Sequence, residues 1–170
     1  MKGFGDLYKS EKRKNKIAKT SKEEIINRAI QFHLEGNISE ASKYYQQIIN
    51  QGCNDCIVYS NYGVILGGKG DLKEAEKSFR KSIEVNPDYA DAHLNLGHIL
   101  NIFGKLQEAE FSYRKVIELK PDYADAHLNL GTILKNLGKL QEAEISIRKA
   151  IELKPDYADA HLNLGITLKD

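Results

Sequence analysis

Apolar residues follow the period of an α-helix along most of the chain, and the pattern is clearest over residues 124–137. The apolar positions have the spacing i, i+3, i+4 and i+7: His127, Leu130, Gly131 and Leu134. This spacing puts them on one face of a helix. Gly138 follows directly and is typical of a helix C-terminus. The pattern therefore predicts a helix, here called helix A, over 124–137.

A second apolar stripe predicts helix B from about Gln141 to Leu153. Its inward positions are Ala143, Ile147, Ala150 and Ile151. Small residues in both helices allow them to approach closely. Helix A has start signals: Pro121 blocks extension of the preceding helix, and carboxylates just before the apolar run are predicted N-caps. These carboxylates are Asp122 and Asp125, with Asp88 and Asp91 before the preceding helix A.

The helix pair recurs every 34 residues. Pro87–Lys120 and Pro121–Lys154 agree at 27 of 34 positions, and a further copy starts at Pro155. Two older copies keep the same period without gaps. The predicted organisation is a tail and an array of copies: 1–21, then 22–55, 56–89, 90–123, 124–157 and a first helix at 158–170.

The copies resemble the tetratricopeptide repeat (TPR) family. The family pattern is an aromatic, Leu-Gly, an aromatic, Ala, an aromatic and Pro within 34 residues. The second copy matches it at Tyr59, Tyr62, Gly63, Leu66, Ala75, Phe79 and Pro87. Three copies have His instead of the first aromatic: His93, His127 and His161. The first copy has Cys53 instead of Pro and diverges at Ile25, Arg28 and Ala29, so it is a degenerate repeat or an N-terminal cap.

The resemblance implies an all-α, right-handed superhelical solenoid of helix-turn-helix repeats with a concave groove. Since one helix pair cannot bury its apolar stripe alone, neighbouring pairs must stack. A helical wheel puts the side of helix A opposite helix B in the groove. The predicted peptide-binding residues are Asn27, Asn61, Asn95, Asn129, Asn163, Asp91, Asp125, Leu94, Leu128, His98 and Thr132.

An asparagine occupies the sixth position of helix A in every copy, including the divergent first copy at Asn27. Amides at one per repeat form a ladder of donors and acceptors that can pair with an extended peptide backbone. The ladder resembles that of the TPR domain of O-linked N-acetylglucosamine transferases, where it holds substrate peptides. The alternative is that the asparagines brace neighbouring helices. If the ladder binds peptide, changing Asn61, Asn95 and Asn129 to Ala should weaken binding without lowering thermal stability.

The predicted groove is acidic and apolar, so we expect a protein or peptide partner with a neutral or basic segment. The basic residues with which some TPR domains grip a C-terminal carboxylate are absent at the corresponding positions. Residues 1–21 carry a local net charge of +5, whereas the whole chain carries only +1. The tail is predicted to be disordered. It is either a solvated tail or an electrostatic tether, and nucleic acid is disfavoured as a partner except through this tail.

The sequence predicts no membrane span and no secretory signal, and a cytoplasmic location is the default expectation. No cofactor or metal is expected. The repeat-related histidines lie too far apart to share one ion and are expected in the core, and His33 and His98 are isolated. Cys53 and Cys56 form a CxxC pair without a second cluster, and are interpreted as incidental thiols in a loop. No catalytic nucleophile–base pair is evident, so a non-enzymatic protein is expected.

The predicted function is a protein–protein interaction scaffold. The alternative is a substrate-docking or regulatory region of a larger enzyme, because the chain resembles bacterial arrays fused to glycosyltransferase, methyltransferase or sulfotransferase domains. The final copy has only helix A, with an apolar stripe at His161, Leu164 and Leu168. We therefore expect the natural protein to continue with further copies. The uncapped end is also expected to fray or to self-associate.

Overall fold

The computed structural model describes residues 21–169, and every regular element in that range is an α-helix. The helices are α1 (21–34), α2 (Ile38–Asn50), α3 (Cys56–Gly68), α4 (Leu72–Val85), α5 (Ala90–Ile102), α6 (Leu106–Leu119), α7 (Ala124–Asn136), α8 (Leu140–Leu153) and α9 (Ala158–Thr167). Odd-numbered helices are the A helices and even-numbered ones the B helices. The A helices from α3 to α9 begin at 34-residue intervals, which confirms the predicted all-α repeat solenoid.

The A helices end where the sequence predicts, at a glycine in the left-handed conformation. Gly138 has φ of 74° and follows the last residue of α7 by two positions. The N–H of Gly138 donates to the carbonyl oxygen of Lys135, and the N–H of Lys139 donates to that of Leu134, each at 2.9 Å. This pair of bonds is the Schellman motif, which satisfies the free carbonyls of a helix end. A side chain with a Cβ is strained at that φ, so the turn favours glycine.

The predicted aspartate N-caps are wrong in the three C-terminal copies. The N-cap positions of α5, α7 and α9 are tyrosines without a side-chain capping bond: Tyr89, Tyr123 and Tyr157. Asp91 and Asp125 lie one residue inside the helix, where their charge still favours the N-terminal end of the helix dipole. Only α3, among the described A helices from α3 onward, has an aspartate cap: Asp55 accepts from the backbone N–H groups of Ile57 and Val58.

Within a repeat, the two helices meet where a glycine of helix A faces a large side chain of helix B. The pairs are Gly63 with Phe79, Gly97 with Tyr113, and Gly131 with Ile147. A Cβ at Gly97 would lie 2.9 Å from the Tyr113 ring, closer than real Cβ atoms approach. The Leu-Gly element of the repeat therefore exists because the B-helix side chain occupies the volume that a methyl group would need.

Successive repeats share one continuous core through the middle of the array. Leu96, Leu100, Leu130 and Leu134 belong to a single cluster that extends from α3 to α8. His93 and His127 are buried, as predicted for residues that replace an aromatic. Each bonds through Nε2 to the carbonyl oxygen of the proline six residues earlier, at 2.8 Å. The third copy of this position, His161, makes the same bond but is exposed.

The divergent first copy also folds as a helix pair. Ala29 of α1 is fully buried with Ala41 and Tyr45 of α2, and this cluster continues into Val58 of α3. Ala29 stands where later copies have glycine. The predicted disordered tail lies outside the described residues except for Ser21, which is helical. None of the helices in the described range is long and apolar enough to cross a membrane.

Candidate peptide-binding groove

The candidate site is the exposed side of the A helices, here called the A-face groove. Its best-formed part is a cleft of about 210 Å³ between α3 and α5. Asn95, His98 and Ile102 of α5 form one wall. Val64 and the Gly67–Gly68 pair of α3 form the other. The cleft is open on the α3 side because the two glycines have no side chains to fill it. It combines apolar surface with one amide and one imidazole.

Sequence reasoning missed two apolar residues of this cleft. Val64 occupies the same helix position as His98 and Thr132, which were predicted for the groove, and Ile102 lies four residues after His98. Both side chains are exposed. The helical wheel already placed these positions on the groove side, so the signal was present in the periodicity. Their apolar character suggested core packing when each residue was considered alone.

The five asparagines do not share one environment. Asn95 lines the cleft, while Asn27 is exposed and Asn129 is half-buried. The Asn61 amide donates to the Tyr45 hydroxyl at 3.1 Å, which ties α3 to α2. The Asn163 amide donates to the backbone carbonyl of Asp159 at 2.8 Å within α9. Bracing between helices is therefore observed at Asn61, whereas Asn95 is positioned to contact a ligand.

The predicted groove leucines pack against neighbouring repeats. Leu128 is only 6% exposed and lies in a cluster with Ile147, Ala150 and Ala160, so the structure removes it from the predicted contact surface. Leu94 is half-buried and packs against the central core. The equivalent Leu162 of α9 is 64% exposed. This position is covered when another A helix follows it, which a single-helix wheel cannot show.

The two predicted groove aspartates differ in their electrostatic surroundings. Asp91 pairs with Lys120 at 2.8 Å, so its charge is compensated. Asp125 accepts a hydrogen bond from the Tyr157 hydroxyl at 2.7 Å and keeps its negative charge. Burial of Tyr157, followed by this bond, raises the pKa of Tyr157 to about 12. The acidic character expected for the groove is therefore stronger at Asp125 than at Asp91.

His98 and Thr132, the remaining predicted residues, occupy equivalent positions one repeat apart. His98 is exposed in the cleft. Thr132 is half-buried, and its hydroxyl donates to the Leu128 carbonyl oxygen at 3.1 Å. The threonine proton is therefore used inside α7, which leaves the hydroxyl oxygen as an acceptor. His98 is the more available of the two for a polar contact.

The cysteine and histidine positions form no metal cluster among residues 21–169. Cys53 and Cys56 are free thiols at the α2–α3 loop and the first turn of α3. Burial raises the pKa of the Cys53 thiol, which disfavours the reactive thiolate. His33 packs edge-on against Tyr45, with ring centroids 6.0 Å apart. These contacts are those of core and loop residues.

Known structures share this architecture. MamA protein superposes with a TM-score of 0.80 at 21% identity, over 87% of this chain and 81% of that one. YrrB, described as a TPR protein with an unusual peptide-binding site, gives 0.79 at 25% identity, over 85% and 75%. A tetratricopeptide repeat protein from Parabacteroides merdae gives 0.78 at 20% identity, over 88% and 60%. Sequence comparison with curated proteins gives no significant match.

Family models match the sequence directly. A TPR repeat model matches residues 68–101 and 98–138, and a tetratricopeptide repeat model matches residues 124–157. Together these matches cover more than half of the chain, in register with the helix pairs that the structure shows. The chain is therefore a member of the tetratricopeptide repeat family.

Proposed function

We propose that this protein is an interaction scaffold that binds an extended peptide segment of a partner in the A-face groove. The observation that carries the proposal is the cleft between α3 and α5, where apolar Val64 and Ile102 are exposed beside Asn95 and His98. Exposed apolar side chains that line a concavity with a few polar groups are typical of a binding site. TPR proteins are typically non-catalytic scaffolds, and peptide binding is a use that the YrrB description also names.

The proposed binding mode uses the amide of Asn95 for the peptide backbone and the apolar walls for side chains. An asparagine amide offers both donors and an acceptor, so it can pair with a backbone irrespective of sequence. Val64 and Ile102 supply selectivity for an apolar side chain. Asp125, whose charge is not compensated by a lysine, favours a basic residue further along the segment. A neutral or basic segment with one apolar anchor is the proposed ligand.

The test begins with a display library of random 12-residue peptides, selected on the whole chain. Peptides that bind are then measured by calorimetry against Asn95→Ala and Ile102→Asn. The second change is conservative for the fold, because the equivalent residue of α7 is Asn136. We expect a class of peptides to lose tenfold or more in affinity with Ile102→Asn, and several-fold with Asn95→Ala.

The matched control is Phe111→Lys on α6, which lies away from the A-face groove and has Lys77 as its natural equivalent. Peptides bound in the groove should bind this variant normally. Circular dichroism melting checks that each variant remains folded. If every selected peptide binds Asn95→Ala and Ile102→Asn as tightly as the original chain, the A-face groove is not the binding site.

A further inference from the structure

A second set of clefts lies on the other side of the array, between successive B helices. The first, of about 520 Å³, has α4 and α6 as walls and α5 as floor. The second, of about 450 Å³, has α6 and α8 as walls and α7 as floor. They are lined by residues 34 positions apart in sequence, so they are copies of one site. We call them the B-face clefts.

Each B-face cleft has a large apolar side chain exposed at its edge. Phe111 is 70% exposed beside the first cleft, and Ile145, its equivalent, is 69% exposed beside the second. The floors are leucines of the A helices, Leu96 and Leu100 in one case and Leu130 and Leu134 in the other. A single exposed apolar residue needs no explanation, but two at the same register over equivalent apolar floors form a patterned surface.

The charged residues around the clefts are paired with one another. Arg80 reaches across the first cleft to Glu108 at 2.6 Å, and Arg114 reaches across the second to Glu142 at 2.6 Å. Glu84 pairs with Lys81, and Lys149 with Glu152. With these charges compensated, the clefts offer no net charge to attract a charged anchor. Their complement is an uncharged apolar side chain.

The equivalent cleft one repeat earlier is different, which limits the surface to two sites. It lies between α2 and α4, measures about 370 Å³, and has Lys77 where the later copies have Phe111 and Ile145. Tyr59 and Tyr62 replace the histidine and leucine of the floor, and both hydroxyls make hydrogen bonds, to Cys53 and Gln46 respectively. A lysine and two hydroxyls make this first cleft polar.

We propose that the two B-face clefts form a second docking surface, for a partner segment that places one uncharged apolar side chain in each cleft. The clefts lie on either side of α6, so the anchors must be more than the ~10 Å spacing of packed helices apart. At ~3.3 Å per residue, this means at least three residues between anchors in an extended segment. This surface does not depend on the A-face groove and can be occupied at the same time.

A narrow segment fits this surface better than a second copy of the chain. A flat interface between two copies would bury the ion pairs that cross both clefts, and desolvating charged pairs is costly. A narrow segment can fill the apolar clefts and leave most of each ion pair in contact with water. The occupant is therefore a linear segment with two apolar anchors.

The experiment uses the same random 12-residue display library on the whole chain. Bound peptides are tested by calorimetry against Phe111→Lys and Ile145→Lys, with Phe111→Gln as an uncharged second variant. Lys77 shows that a lysine is compatible with this helix position. The control is Asn101→Lys, which adds the same charge on α5 and has Lys135 as its natural equivalent.

We expect a class of peptides with two apolar residues to lose at least tenfold in affinity with Phe111→Lys and with Ile145→Lys. The same peptides should bind Asn101→Lys, Asn95→Ala and Ile102→Asn normally, which separates this surface from the A-face groove. The proposal is overturned if no selected peptide responds to the Phe111 and Ile145 variants. It is also overturned if light scattering shows a dimer that Phe111→Lys converts to monomer, since the occupant would then be a second copy.

Discussion

At the scale of single residues, the four glycines of the A helices fill two different roles. Gly63, Gly97 and Gly131 each face a large side chain of the paired B helix, whereas Gly67 faces open space except for ordinary contacts at 3.9 and 4.0 Å. The same substitution should therefore change stability in opposite directions. Alanine is favoured over glycine inside a helix by about 1 kcal/mol, but overpacking a core costs about 1–3 kcal/mol.

We predict that Gly131→Ala destabilises the chain by about 1–2 kcal/mol after the gain in helix propensity is subtracted. The new methyl group would overlap Ile147 and lie 3.2 Å from the Ala143 backbone oxygen, which cannot move independently. Gly67→Ala is the matched control and should stabilise the chain by a few tenths to about 1 kcal/mol. Urea unfolding followed by circular dichroism measures both. Equal effects of the two changes would show that helix packing does not explain Gly131.

The aspartates of the A-face groove give a second prediction at this scale. Asp125→Asn should weaken binding of groove peptides that contain Lys or Arg by several-fold, because the Asp125 charge is not compensated by a lysine. Asp91→Asn should have less effect, since Lys120 already neutralises Asp91. The comparison uses the peptides selected for the groove, measured at low and high salt. The Asp125 effect should decrease in high salt, and a larger loss with Asp91→Asn would contradict the electrostatic argument.

At the scale of secondary structure, the B helices are linked by a repeated network of ion pairs. Glu110 of α6 accepts from Arg114 of its own helix and from Lys139, which precedes α8. Arg114 then reaches Glu142 of α8. Glu76, Arg80, Lys105 and Glu108 repeat this arrangement one copy earlier. Each B helix is thus fixed to the next by side chains that span the loop between them.

The network predicts a pH-dependent contribution to stability. Desolvation by itself would raise the pKa of Glu110, but hydrogen bonds from Lys139 and Arg114 outweigh it and lower the pKa below its usual 4.5. A carboxyl group with a lowered folded-state pKa stabilises the fold above its unfolded-state pKa, and this contribution disappears as the pH falls through the folded-state value. Glu110→Gln should therefore cost up to about 1 kcal/mol at pH 7, and progressively less below pH 4.5.

Urea unfolding of the original chain and of Glu110→Gln between pH 7 and pH 3 measures this difference. The control is Glu118→Gln, which removes an exposed carboxylate from the same helix. Its effect should be smaller at pH 7, because Glu118 contacts Lys115 on the surface of its own helix only one turn away. If the cost of Glu110→Gln is the same at all pH values, the residue acts through packing rather than through charge.

Helix periodicity and turn residues specified most of the fold in advance, because they act within one repeat. His127, Leu130 and Leu134 face helix B as predicted, and the Gly138 turn has the predicted role. Contacts between repeats were not accessible in this way. Leu128 is buried by residues of α8 and α9, and Asn61 is held by Tyr45 of α2. These contacts depend on how far one repeat is rotated against the next, which the pattern of a single helix does not contain.

At the scale of the whole molecule, stability in a solenoid is distributed by position, since each repeat contacts only its neighbours. The central A helices are covered on both sides. Leu100 of α5 and Leu134 of α7 are each 1% exposed, whereas the equivalent Leu168, just after α9, is 57% exposed. A Cβ at Gly165 of α9 would meet nothing within 4 Å, in contrast to Gly97 and Gly131. The free energy of local opening should therefore differ strongly between these helices.

We predict that amides of α9 exchange with solvent fastest among the A helices from α3 onward, and that those of α5 and α7 exchange slowest. In α9, the stripe that elsewhere packs on a B helix is covered only by α8 and α7 within residues 21–169, so little apolar surface is exposed when the helix opens. Opening α5 or α7 exposes buried leucines, at a cost of ~1.5–3 kcal/mol for each large apolar side chain. Hydrogen exchange followed by mass spectrometry on the 170-residue chain measures the order. Light scattering must accompany it, because self-association through α9 would protect that helix in a concentration-dependent way. Protection of α9 equal to that of α7 in a monomeric sample would contradict the argument, since stability would then not follow the coverage of each helix by its neighbours.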